Sequence, residues 1–95
     1  MLKELKFEWD IWNQQKNELK HGVSCLEAES VFFDDALKLF KDEKHSSLRE
    51  NRFIAYGKSR ENRVLMIGFT IRNSKLRIVT ARTASRNERL IYEKK

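Results

Sequence analysis

The stretch that most constrains this chain's fold is Val64–Arg82. Val64 to Ile71 is an almost unbroken apolar run, Asn73-Ser74 follows, and Lys75 to Arg82 is rich in β-branched and basic residues. Two such runs around a two-residue turn signal form a β-hairpin, because a tight turn matches the twist of paired strands. With the turn at Asn73-Ser74, Arg72 faces Lys75, Thr70 faces Arg77, Gly68 faces Val79 and Met66 faces Ala81. Alternation puts these residues on one face and Leu65, Ile67, Phe69, Ile71, Leu76, Ile78 and Thr80 on the other. The second face is oily and is expected to pack on helices. The first gathers Arg72, Lys75 and Arg77 beside the small residues Gly68 and Ala81. Cations at adjacent cross-strand positions repel by up to about 1 kcal/mol. An anionic ligand therefore explains the cluster more readily than stability does; the plainer alternative is a solvated face with spare cations. Arg82 has the opposite parity and points elsewhere unless a bulge re-aims it.

The rest of the chain supplies helices to cover that sheet. Leu2, Leu5 and Phe7 mark a first strand ending at Trp9-Asp10, and Asp10 is a natural N-cap for a helix over Ile11–Lys20 with Trp12 and Leu19 on one side. Gly22 sits where a left-handed C-terminal cap is needed. Ser24-Cys25-Leu26-Glu27 has the form of a capping box, in which Ser24 accepts an orphan N–H and Glu27 reaches back. The second helix runs to about Phe33. A short strand over Ala36–Phe40, a polar loop over 41–51 whose mobile part is His45-Ser46-Ser47, and a strand over Arg52–Tyr56 stopped by Gly57 come next. Val64–Ile71 suits a central strand covered on both faces. Ser85-Arg86-Asn87-Glu88 opens a last helix with a second capping box. Trp9, Trp12, Phe32 and Phe33 are read as core, and Tyr56 and Tyr92 as possible base-stacking rings. The order β-α-α-β-β-β-β-α describes a single α+β domain over 1–95 with a mostly antiparallel sheet.

Charge narrows the function. Residues 63–95 hold nine Lys or Arg against two acids, while residues 1–62 hold eleven against twelve, so the formal charge of +6 comes from one end of the chain. So one-sided a field attracts polyanions, RNA or DNA first. One cysteine excludes an internal disulfide, and one Cys with two separated His cannot form a closed zinc site. No signal-peptide core and no membrane-length apolar run is present, which fits a cytoplasmic protein without a membrane partner.

Several segments together resemble one known family. Phe7-Glu8-Trp9-Asp10, then Asn17-x-x-Lys20-His21-Gly22-Val23-Ser24-x-x-Glu27-Ala28, is similar to the opening of the BrnT toxins. Arg52-Phe53-Ile54-Ala55-Tyr56-Gly57 resembles the middle. Arg77-Ile78-Val79-Thr80-Ala81-Arg82-x-Ala84-Ser85-x-x-Glu88-Arg89-x-x-Tyr92-Glu93 resembles the closing signature. The chain departs from that pattern at Ile11 and Asn13, where the family usually has Pro and Lys, and at Cys25, where an aromatic often stands. The resemblance implies a RelE-like fold, a small curved antiparallel sheet against helices. It also implies a bacterial ribonuclease toxin that cuts RNA without metal or cofactor and inhibits translation. Such a toxin is neutralised by a cognate BrnA-like antitoxin, through which alone operator DNA is met. A non-catalytic nucleic-acid-binding module, or an antitoxin-binding module with decayed activity, is the alternative.

Metal-free cleavage needs a base for the 2′-hydroxyl, cations for the charged phosphorane and an acid for the leaving oxygen. Arg72 and Arg77 are the candidates for phosphate stabilisation, since a guanidinium binds phosphate bidentately and stays charged. His21 is the candidate titrating group, although a His before a C-terminal Gly also suits the helix dipole. Glu27 is a candidate base, although its capping box already accounts for it. Arg52, Lys75 and Arg82 are candidate RNA-backbone contacts. His45, in its polar loop, is read as inert, and Cys25 as a small buried filler.

Overall fold

A computed structural model describes residues 6–47 and 50–94; Leu2 and Leu5 of the expected first strand lie outside the described residues. The elements follow the expected order: β1 Lys6–Trp9, α1 Ile11–His21, α2 Cys25–Ser30 with a 3-10 turn Val31–Phe33, β2 Lys38–Lys41, β3 Arg52–Lys58, β4 Val64–Arg72, β5 Lys75–Thr83 and α3 Arg86–Glu93. They form one five-stranded sheet ordered β1-β5-β4-β3-β2. All pairings are antiparallel except β1 with β5, which is parallel. The fold is the α+β arrangement expected. Among the described residues no helix is long and apolar enough to cross a membrane.

The hairpin turns at Asn73 and Ser74, with φ of 52° and 62°. Its register matches expectation from Arg72↔Lys75 to Phe69↔Ile78 and then changes, for Gly68 pairs with Thr80, not with Val79. Val79 is an extra residue in β5, a bulge that reverses the parity of everything after it. Ala81 therefore turns into the core, fully buried, while Thr80 and Arg82 turn to the other face. The expected Met66–Ala81 pairing is replaced by Met66↔Arg82.

The core lies on one face of the sheet, where Leu65, Ile67, Phe69, Leu76, Ile78 and Ala55 pack against Val23, Ala28, Val31 and Phe32 of the α2 region. Phe32 stands edge-on to Phe69 at 5.2 Å between ring centroids. Coverage is one-sided over part of β4: on the face away from the core Met66 and Gly68 are only half-buried, although Thr70 is fully buried, and on the core face Ile71 is exposed at the hairpin end. Trp12 and Phe33 are exposed, contrary to their reading as core, whereas Trp9 packs on the core and donates to Glu29 at 2.7 Å. Gly57 does not stop β3 but lies within it, against the 3-10 turn. A Cβ there would stand 2.6 Å from Val31 Cγ1 and 3.1 Å from the Val31 carbonyl oxygen. Gly57→Ala is therefore expected to cost about 1–3 kcal/mol, read as a fall of roughly 5–20 °C in a thermal melt.

α1 closes the edge of β5 that β1 leaves open. β1 pairs only as far as Ile78, and past it the Ala81 N–H donates to Asn17 Oδ1 at 3.2 Å. This is why the buried residue of α1 is an asparagine. α3 lies over the opposite face of the sheet, near β3 and β4. Its Tyr92 hydroxyl donates to Asp34 at 2.6 Å, and burial with that bond pushes the phenol up to about 12. Tyr92 is thereby an anchor for α3, and Tyr56 is buried with its ring against Phe40.

Candidate active site

The face of the sheet away from the core carries a cleft of about 360 Å³. Its floor is Ile54, Gly68 and Thr80, a row set by the register of β3, β4 and β5. Gly68 keeps that floor low, as expected. Arg52 enters from β3, Arg82 from β5, and His45 with Asp42 from the β2–β3 loop. Sequence alternation alone turned Arg82 away; the bulge at Val79 brings it in.

The loop residue read as inert has a defined geometry. The His45 Nδ1 lies 2.8 Å from Asp42 Oδ2. A carboxylate only accepts, so Nδ1 carries the proton and Nε2 is left for another partner. Ser46 Oγ donates to the Asp42 carbonyl at 2.7 Å and accepts from Arg52 N–H at 3.0 Å, linking the two ends of the loop. The sequence signal that was available is the Asp42-x-x-His45 spacing, which lets a loop turn bring the two side chains together.

Arg82 is held by Glu88 of α3, with Nη1 and Nη2 donating to the two carboxylate oxygens at 2.8 and 2.9 Å. Glu88 also accepts from Ser85 N–H at 2.8 Å, completing the expected capping box. Burial opposes the charge on Glu88, but Arg82 and the Ser85 N–H outweigh it and hold the carboxyl below its ordinary value. Arg82 is raised in turn, chiefly by the Glu88 hydrogen bond.

The Arg72, Lys75 and Arg77 cluster exists, but its cations are not spare. Arg72 lies 2.7 Å from Glu50, Lys75 3.9 Å from Glu8 and Arg77 3.3 Å from Asp10. Arg52 is 3.7 Å from the same Glu50. Such exposed pairs contribute roughly 0–1 kcal/mol each, so an incoming phosphate can exchange for a carboxylate at little cost. Between Arg52 and Arg77 in register lies Thr70, fully buried, whose hydroxyl has no partner among the described residues.

Glu27 is placed elsewhere. Ser24 caps Glu27 N–H at 3.1 Å as expected, but the Glu27 carboxylate does not reach back to Ser24. It accepts from Ser59 Oγ at 2.7 Å and Arg63 Nε at 2.8 Å, and from Arg63 Nη2 as well. The Arg63 hydrogen bond, working against burial and helped by Ser59, holds its carboxyl below the ordinary value. A carboxylate so occupied, on the helix under the core, is a structural tie between α2 and the β3–β4 turn. His21 ends α1; burial, then Lys20, Arg82 and Lys16, push its imidazole below the ordinary value.

Two comparisons bear on this geometry. The family model described as "Ribonuclease toxin, BrnT, of type II toxin-antitoxin system" matches residues 9–88. The crystal structure of the Brucella abortus ribonuclease toxin BrnT superposes with a TM-score of 0.64 at 24% identity, over 86% of this chain and 99% of that one. A search of the curated proteins finds no significant match. The structural likeness speaks for the fold, and the family match spans both the Asp42–His45 loop and the Arg82–Glu88 clamp: this chain belongs to the BrnT family of ribonuclease toxins of type II toxin–antitoxin systems.

Proposed function

We propose that the chain is a metal-independent endoribonuclease whose chemistry occurs in the cleft of the open sheet face, and that a cognate BrnA-like antitoxin neutralises it. The observation carrying this reading is the Asp42–His45 pair in one cleft with Arg52 and Arg82. Asp42 fixes the imidazole, and His45 Nε2 takes the 2′-hydroxyl proton as the 2′-oxygen attacks phosphorus. Arg82 and Arg52 stabilise the charge that grows on the phosphorane oxygens. The P–O5′ bond breaks, leaving a 2′,3′-cyclic phosphate, and the 5′-oxygen is protonated by solvent, which reaches the open cleft. Arg72, Lys75 and Arg77 lie along the same face and hold flanking phosphates. This moves the reacting centre from Arg72 and Arg77, and the base from His21 or Glu27, to the other end of the face.

The experiment is cleavage of a long RNA by the purified chain in excess EDTA, with Arg82→Ala beside it. Wild type is expected to cut and Arg82→Ala to be slower by about 10²–10³-fold. Wild-type activity that EDTA abolishes would refute metal independence, and undiminished cleavage by Arg82→Ala would remove Arg82 from the centre.

A further inference from the structure

The open face of the sheet continues past the reacting cleft on the β2 side. The cross-strand partner of Ile54 on β2 is Phe40, so the row that floors the cleft runs on as Phe40-Ile54-Gly68-Thr80. Phe40 is 44% exposed. Its ring meets Tyr56 at 5.6 Å between centroids and is tilted by 53°, a contact that leaves much of the ring open. Beside it lies a groove of about 620 Å³ lined by Lys38, Phe40, Tyr56, Ile91 and Lys94. Lys38 Nζ donates to the Lys94 carbonyl at 2.5 Å and ties β2 to the residue after α3. Among the described residues the groove's lining is apolar and aromatic with two lysines and no acid. The rings that the sequence offered for base stacking are both taken, for Tyr92 holds Asp34 and Tyr56 is only 9% exposed.

The position of the general base selects the occupant. A base for the 2′-hydroxyl stands at the ribose on the 5′ side of the cut, because that ribose carries the attacking oxygen. His45 is held by Asp42, and Asp42 follows Phe40 by two residues on the same side of the sheet. Two residues are about 7 Å along a strand, within the span from a ribose to the far edge of its own base. The ribose at His45 therefore has Phe40 beside it, and its base has two courses, into solvent or onto the ring. Aromatic side chains take up the unpaired bases of single-stranded RNA by stacking, and the area covered there is area removed from water. A protein segment would match the groove's apolarity equally well, but not its register with the reacting group. We propose that Phe40, backed by Tyr56 and with Lys38 at its side, is the subsite for the base 5′ of the cut, so that stacking on Phe40 brings the 2′-hydroxyl to His45. This rests on the ribonuclease reading above. Selection at this subsite is by stacking, so the base must be unpaired.

The test maps the cut in a long RNA and then follows cleavage of a short single-stranded RNA spanning it, in two forms, one intact and one abasic at the nucleotide 5′ of the cut. On the intact form Phe40→Ala is expected to lower kcat/KM by about 10–100-fold, and Phe40→Trp to hold it near the wild-type value. On the abasic form the wild type is expected to fall by the same factor, and Phe40→Ala to cut no worse than the wild type. A variant that merely folded less well would lose its factor on both forms, and that result would overturn the proposal. So would Phe40→Ala cutting intact RNA at the wild-type rate; if the same variant no longer bound the antitoxin of the adjoining reading frame, the groove would belong to the antitoxin. Failure of the ribonuclease reading is separable. Should the wild type cut no RNA, a 2′-O-methyl oligoadenylate carrying 2-aminopurine still reports the subsite. Fluorescence quenched by the wild type and not by Phe40→Ala supports stacking on Phe40, and equal fluorescence with the two proteins overturns it.

Discussion

His45→Ala is expected to reduce RNA cleavage by about 10²–10⁴-fold, the contribution of a well-placed general base, without lowering the melting temperature noticeably. The two halves of this expectation have separate grounds. The His45 side chain is 58% exposed, so its removal leaves no cavity and takes away its hydrogen bond to Asp42. Its chemical role depends on Asp42, whose carboxylate is mostly covered and whose backbone N–H donates to the Arg52 carbonyl at 2.7 Å. Asp42→Asn keeps the shape and removes the charge that orients the imidazole, so a smaller loss of activity is expected there. RNA binding, measured with the same variants by filter retention, is expected to hold near the wild-type level, since Arg52, Arg82 and the Arg72–Arg77 cluster remain. Cleavage at the wild-type rate by His45→Ala would transfer the base to another group, with His21 the next to test.

The largest loss of stability is expected at Glu27. Its side chain is only 5% exposed and joins three parts of the chain, because Arg63, which it binds, also donates to the Gly22 carbonyl at 3.1 Å. Removing one partner of a buried pair typically costs about 3–5 kcal/mol. Arg63 is 39% exposed and can turn to water, so Glu27→Ala is expected to cost about 2–3 kcal/mol, or roughly 10–20 °C in a melt. The same group sets an acid limit. Its folded pKa is below the ordinary 4.5, so its contribution is complete above that value and is lost as pH falls through the lower, folded one. A plot of melting temperature against pH is expected to drop below about 4.5 in wild type and to drop less in Glu27→Gln. Equal slopes in the two would mean that the ion pair adds nothing.

How much of this was legible depended on whether a residue's neighbours in sequence were also its neighbours in space. The caps at Asp10, Gly22, Ser24 and Ser85 and the turn at Asn73-Ser74 were readable because a cap or a tight turn is satisfied within four residues. The pairing of Glu27 with Arg63 was not, since it joins residues 36 apart, and the local capping motif offered a complete explanation that the distant guanidinium overrides. Trp12 was misplaced for a related reason. Apolar residues on one side of a helix indicate a buried side only if the helix packs by that side, and the need of one β5 amide for an acceptor turned α1 the other way. The placing of His45 beside Asp42 was not legible, because a histidine in a polar loop has no periodicity to reveal its direction. The strand cations were found correctly as a cluster, while the acids opposite them came from β1, the β1–α1 junction and the residues before β3.

The extra residue at Val79 also decides from which side of the sheet the chain departs. Arg77 and Arg82 are five residues apart, an odd spacing that a regular strand assigns to opposite sides, yet both side chains belong to the face away from the core. Whatever follows Arg82 inherits the reversal. The side already filled by α2 is closed to the chain as it leaves Thr83, and α3 is delivered above the cleft, where Glu88 can meet Arg82. A deletion of that single residue would send the final helix towards an occupied layer and unmake the cleft's wall with the cleft. One insertion in one strand thus does the work of a connecting loop, choosing the layer in which the last tenth of the molecule is built.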